Sequence, residues 1–119
     1  MYVFASAKKP SKPVGFPPEE ISEDLLVHYW RKHPDLHGWM EQLWRAKGGE
    51  GLFNCEPVVL TAEDLDHLEE SIRSRRLPHT SGFFFGETDG SERSGDLAFV
   101  EKARWFLGQG LTVFYTSWW

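Results

Sequence analysis

The sequence predicts a small single-domain sandwich of the α/β or α+β class, about four strands with helices packed on the sheet. Three observations lead there. The chain has 119 residues, one ordinary domain's worth. Apolar residues are 40 %, aromatic 15 % and charged 26 %, a balance that supports a core and suits a soluble domain rather than a disordered chain or a membrane span. Stretches with apolar residues at helical spacing alternate along the chain with short strand-like runs.

Residues Tyr2 to Ala7 read as the first strand. Lys8-Lys9-Pro10-Ser11-Lys12-Pro13 follows, whose prolines and lysines suit a linker or edge loop that Pro17 and Pro18 prolong to about residue 20. Ser22 offers an N-cap to a helix with Glu23 and Asp24 in its first turn, running to about Lys32. The residue before a proline avoids the helical region, so His33 forms a corner and a second helix starts near Asp35. There Leu36, Trp39, Met40, Leu43 and Trp44 make the stripe of a helix lying on a core, and Gly48-Gly49 supplies a left-handed cap.

Phe53 to Leu60 is strand-like, with Pro57 placing it at an edge or bulge. Thr61-Ala62-Glu63-Asp64 has the form of a capping box with Asp in the usual Glu or Gln place, and Leu65, Leu68 and Ile72 carry a buried stripe to about Arg75. Pro78 to Gly82 reads as a turn, Phe83-Phe84-Phe85 as a short buried strand, and residues 87–95 as an acidic mobile loop. Asp96 is placed as the cap of a last helix, in which Leu97, Val100, Ala103 or Arg104, and Leu107 recur at helical spacing. Leu111 to Trp119 closes the chain as a strand with Leu111, Val113, Tyr115, Ser117 and Trp119 on one face and Thr112, Phe114, Thr116 and Trp118 on the other. Each later helix then serves as a crossover between neighbouring parallel strands.

Thirteen Lys and Arg against eighteen Asp and Glu give a net charge of −5, which argues against duplex nucleic acid as a partner. Arg73, Arg75 and Arg76 fall where a helix ends and complement its dipole. The single Cys55 excludes an internal disulfide and suits a reducing compartment, so a cytoplasmic location is expected. With no basic neighbour, Cys55 reads as a small buried hydrophobe. No stretch has the make-up of a signal peptide or anchor, so no membrane contact is expected. Neither a phosphate loop nor a dinucleotide fingerprint occurs, and no cofactor is implied.

Chemistry concentrates in residues 28–39, where three imidazoles, two cations and three aromatics surround one helix corner. Tyr29 and Arg31 there suit a small anionic molecule, with Arg31 as a bidentate fork and the helix start offering free amides. His33 and His37 are the candidate catalytic acid and base. The plainer reading makes the aromatics core and the histidines rims and caps. Their four-residue spacing also suits a metal, with His79 or Asp35 as a further ligand, but Pro34 interrupts the face between them and no metal site is assigned. Pro78-His79-Thr80-Ser81-Gly82 adds an imidazole and two hydroxyls that either hold a phosphate or make an ordinary turn. Tyr115, Ser117 and Trp118 complete the candidate ligand-binding set, since consecutive tryptophans at Trp118-Trp119 pack on a core, a partner or a ligand ring.

His28-Tyr29-Trp30-Arg31-Lys32-His33-Pro34-Asp35-Leu36-His37-Gly38-Trp39-Met40, taken with Phe53-Asn54-Cys55, residues Leu77 to Gly86 and the closing Phe114-Tyr115-Thr116-Ser117-Trp118-Trp119, resembles a family of small uncharacterised proteins from tailed phages and bacteria. The resemblance spans about residues 25 to 119. Members often carry the label phosphoglycerate kinase, which 119 residues cannot support, because such an enzyme needs two large domains. What the resemblance implies is a phage or prophage setting, with no catalytic residue assigned. Two functions stand: a binding or regulatory domain for a host protein or small anionic ligand, and a small His-dependent hydrolase or transferase acting on a phosphorylated or anionic substrate.

Overall fold

Alternation along the two outermost segments of the sequence builds the middle of the sheet. In β1 (Tyr2–Ser6) and β4 (Thr112–Thr116), residues two apart share a face, and Val3, Ala5, Val113 and Tyr115 all turn to the helices and are fully buried. The two strands pair antiparallel from Tyr2 opposite Thr116 to Ser6 opposite Thr112. The computed structural model describes residues 1–16, 18–22, 25–30, 33–53, 56–77 and 93–117. Its remaining elements are β2 (Leu25–Tyr29), α1 (Pro34–Ala46), β3 (Val58–Leu60), α2 (Ala62–Arg73), α3 (Arg93–Gly108) and a single 3-10 turn over Pro18–Glu20. The sheet runs β2-β1-β4-β3 with every neighbouring pair antiparallel, an α+β architecture with the three helices on it.

Three expectations are corrected, the last of them the Asp96 cap taken up below. The helix read from Ser22 to Lys32 is the edge strand β2. Ser22 caps nothing there: its amide and hydroxyl both meet Ser6 Oγ, at 3.0 and 3.1 Å, and this pins the approach to β2 beside β1. Pairing with β1 then outweighs the local helix signals. Strand direction is the second correction. Both α2 and α3 lie between β3 and β4, so the chain returns reversed and the pairing is antiparallel rather than parallel.

The expected helices otherwise hold. α1 begins at Pro34 itself, where the missing amide proton is no loss, and buries Leu36, Met40 and Trp44. At its far end Gly49 lies so close on the Trp44 indole that an added Cβ would stand 2.2 Å from the ring, and the Gly49 amide bonds Trp44 O at 2.8 Å. The capping box of α2 forms in both directions, Asp64 N to Thr61 Oγ1 at 3.1 Å and Thr61 N to Asp64 Oδ2 at 2.9 Å. The edge loop covers the free side of β3, with Val59 N donating to Pro13 O at 3.0 Å, and it buries Val14 and Phe16. α3 starts at Arg93, so Asp96 stands inside its first turn rather than capping it. The turn at 78–82, the strand at 83–85 and residues 87–92 of the acidic loop lie outside the described residues. Among the described residues, no helix is long and apolar enough to cross a membrane.

Candidate functional site

The N-termini of α1 and α3 meet at one end of the sheet, just beyond the last residue of β2. Trp30 leaves β2 with its amide on Met1 O at 2.9 Å, and its indole packs edge-on against Phe99 at 4.9 Å between centroids. The indole Nε1–H then reaches Asp96 Oδ1 at 2.8 Å. His33, at the N-cap position of α1, sets its amide on the Met1 thioether at 3.3 Å and its ring Nε2 2.7 Å from Asp96 Oδ2. Neither side chain of this pair exceeds 2 % exposure. A carboxylate in the first turn of α3 is favoured by the positive end of that helix.

One turn further along α1, His37 receives support from the sheet. Its amide continues the helix from His33 O at 3.0 Å, and its Nδ1 lies 2.9 Å from the Tyr115 hydroxyl. Phe53 stacks on the imidazole at 4.9 Å and 28°. Burial holds the ring's pKa down at about 4, against the opposing pull of Glu41 and with a smaller push from the Met1 α-amino group. Burial also raises the Tyr115 hydroxyl well above the usual tyrosine range, with a hydrogen bond from Ser117 acting the other way. Near neutral pH His37 is therefore an uncharged imidazole and Tyr115 a protonated phenol. The Tyr115 hydroxyl thus shares hydrogen bonds with both Ser117 and His37 Nδ1.

Of the residues singled out from sequence, His33, His37, Tyr115 and Ser117 are thus brought to one place. Tyr29 is not among them: half-exposed on β2, its ring lies against Tyr2 at 5.1 Å, on the side of the sheet that carries Phe4 and Phe114. Arg31, His79, Thr80, Ser81 and Trp118 lie outside the described residues. Sequence reasoning missed Asp96, read as a cap, and the polar use of Trp30, read as core. The signal for Asp96 was present. Asp96, Phe99, Val100 and Ala103 fall at i, i+3, i+4 and i+7, so the acid stands on the buried stripe of α3, where an unpaired carboxylate has no place.

Chemically the cluster offers a carboxylate-backed imidazole at the N-cap of α1 and, one turn on, a neutral imidazole backed by a phenol. Among the described residues, no three His, Cys, Asp or Glu side chains are grouped to hold a metal ion. Comparison with known proteins adds nothing to this geometry: no family model matches the chain, and no curated protein or solved structure does.

Proposed function

We propose that the chain is a small binding or regulatory domain that takes a small anionic ligand where α1, α3 and the end of the sheet meet. The observation that carries this is the convergence of two buried imidazoles and a carboxylate at two helix N-termini with a phenol from β4. Burying that many polar groups is unfavourable unless they are mutually satisfied, and an apolar contact would hold the same elements together with less penalty. Helix N-termini favour anions. In the sequence, Arg31 and Lys32 stand between Trp30 and His33, and Trp118 follows Ser117. A phage or prophage setting, from the wording of residues 25 to 119, and a cytoplasmic location, from the lone cysteine, belong to the same proposal.

One observation favours the second reading, a His-dependent hydrolase or transferase. His33 and Asp96 stand at 2.7 Å, the relation of a general base to the group that orients it. Both readings are tested by following the five imidazoles in NMR spectra while adding inorganic phosphate, sugar phosphates, nucleotides and small carboxylates. Joint movement of His33 and His37 on one addition is the expected result, and turnover of that compound, lost in His33→Ala, would establish the enzyme. Silence of both rings to every addition would sink the ligand site and turn the search to a host protein.

A further inference from the structure

We infer that the cavity between the edge loop and the C-terminal end of α1 binds a small zwitterion of the α-amino acid class. It lies at the far end of α1 from His33 and is independent of the site proposed above. The cavity holds about 400 Å³, the size of a small-molecule site. One residue of β3 joins its two walls. Val59 N donates to Pro13 O of the edge loop at 3.0 Å, and Lys47 Nζ, at the C-cap of α1, donates to Val59 O at 2.6 Å. Trp44 forms part of the wall, and its buried Nε1–H has no acceptor among the described residues. Buried donors are normally paired, so this one calls for an oxygen that a ligand brings.

The charges on the walls specify the rest of the ligand. Lys47 is committed to Asp64 as well as to Val59 O. That leaves Lys12, Glu50 and Glu56 as the charged side chains of the cavity with no ion pair among the described residues. Glu56 is half-buried there, and Gly48, at φ +108°, turns the chain off the helix toward Glu50. Glu50, Glu56 and the carbonyl end of α1 call for an ammonium. Lys12 and the Trp44 N–H call for a carboxylate. A cation or an anion alone answers only one of these sets, whereas an amino acid carries both groups on one carbon. Gly49 lies on the indole, so the carboxylate reaches Nε1 as the turn of Gly48 to Gly51 yields. Gly48, Glu50 and Gly51 are exposed, and little packing opposes that movement.

Nitrogen–proton correlation spectra of the six tryptophan indoles test this directly. Trp44→Phe assigns the Trp44 signal; should that variant not fold, contact with the Phe53 ring, at 5.0 Å between centroids, assigns it in the unaltered chain. Free glycine, alanine or leucine at millimolar concentration is expected to move the Trp44 indole proton downfield, as an N–H does on gaining an acceptor. Ethylammonium and acetate, each carrying one of the two charges, are expected to leave it in place. Glu56→Gln and Lys12→Ala, both away from the core, should each weaken the response about tenfold, the size of one charged hydrogen bond. A Trp44 signal that ignores every amino acid overturns the site. One that moves as far with acetate alone, or with unchanged affinity in both variants, overturns the zwitterion. His33 and His37 are expected to stay silent to these additions, so the outcome is read apart from that of the sheet-end site.

Discussion

The same kinds of charged and polar pairs occur at the buried end of the sheet and along the outer seam of α2 and α3, in opposite surroundings. At the seam Arg104 bonds Glu69, Asp66 at 2.8 Å and Glu101 at 3.2 Å, and the carboxylates of Asp66 and Glu101 are 68 and 72 % exposed. Hydrogen bonds from Arg73 and Arg104 hold Glu69 below the usual carboxylate range. At the sheet end, His33 and Asp96 are shielded almost completely. Water can replace any partner lost from the seam, whereas nothing replaces one lost from the end. The first region tolerates substitution, and the second ties stability to the presence of every member.

The largest break in this contrast is Asp96→Ala, which strands Trp30 Nε1 and His33 Nε2 together. Removing one partner of a buried ionic pair typically costs about 3–5 kcal/mol, and urea unfolding should show a loss of that order. Acid provides the next test. His37 is held at about pKa 4 in the folded chain, against about 6.5 in an unfolded one. Between those values the unfolded state binds the extra proton, so stability is complete above about pH 6.5 and declines as pH falls toward 4, by roughly 3 kcal/mol in all. His37→Gln should flatten that decline in unfolding curves taken across the same range.

Tyr115→Phe sharpens the comparison further by removing one oxygen and leaving His37 Nδ1 buried without its phenol, a loss of about 1–3 kcal/mol in the same unfolding assay. Arg104→Ala should have the smallest effect. Its shift of the urea midpoint should be detectable only at low ionic strength and vanish in about 1 M salt, where the screening length is near 3 Å. An Arg104 effect as large as that of Asp96→Ala, or one indifferent to salt, would erase the distinction between the two regions.

Legibility in the sequence follows the range of the forces involved. The α1 stripe, the Thr61–Asp64 box and the two faces of β4 are local patterns, and each stands in the structure where its spacing puts it. β2 was illegible for the opposite reason. Ser22, Glu23 and Asp24 mimic a helix start, and only pairing with β1, some twenty residues distant, makes Leu25–Tyr29 a strand. The antiparallel sense of the sheet depends on both α2 and α3 intervening before β4, which no single window reveals. In the site, clustered histidines marked the corner, while Asp96 was hidden because it reaches His33 across 63 positions of sequence. Its place on an apolar stripe was the available clue.

Tyr2 pairs with Thr116, and β4 also carries β3 on its other side. Of the four described strands, the one furthest along the chain is thus an inner strand of the sheet, and β1 has one side open until β4 arrives. Up to that moment, among the described strands, β1 has only β2 to pair with and β3 has none. A two-stranded hairpin is marginal in water, so the nascent chain cannot lock in its sheet piecemeal as it emerges. Closure comes in one late step with high contact order, slow for a protein of this size. Until then the sheet face that the helices cover is incomplete, and the interval before β4 docks is when the apolar surface of this chain is most exposed.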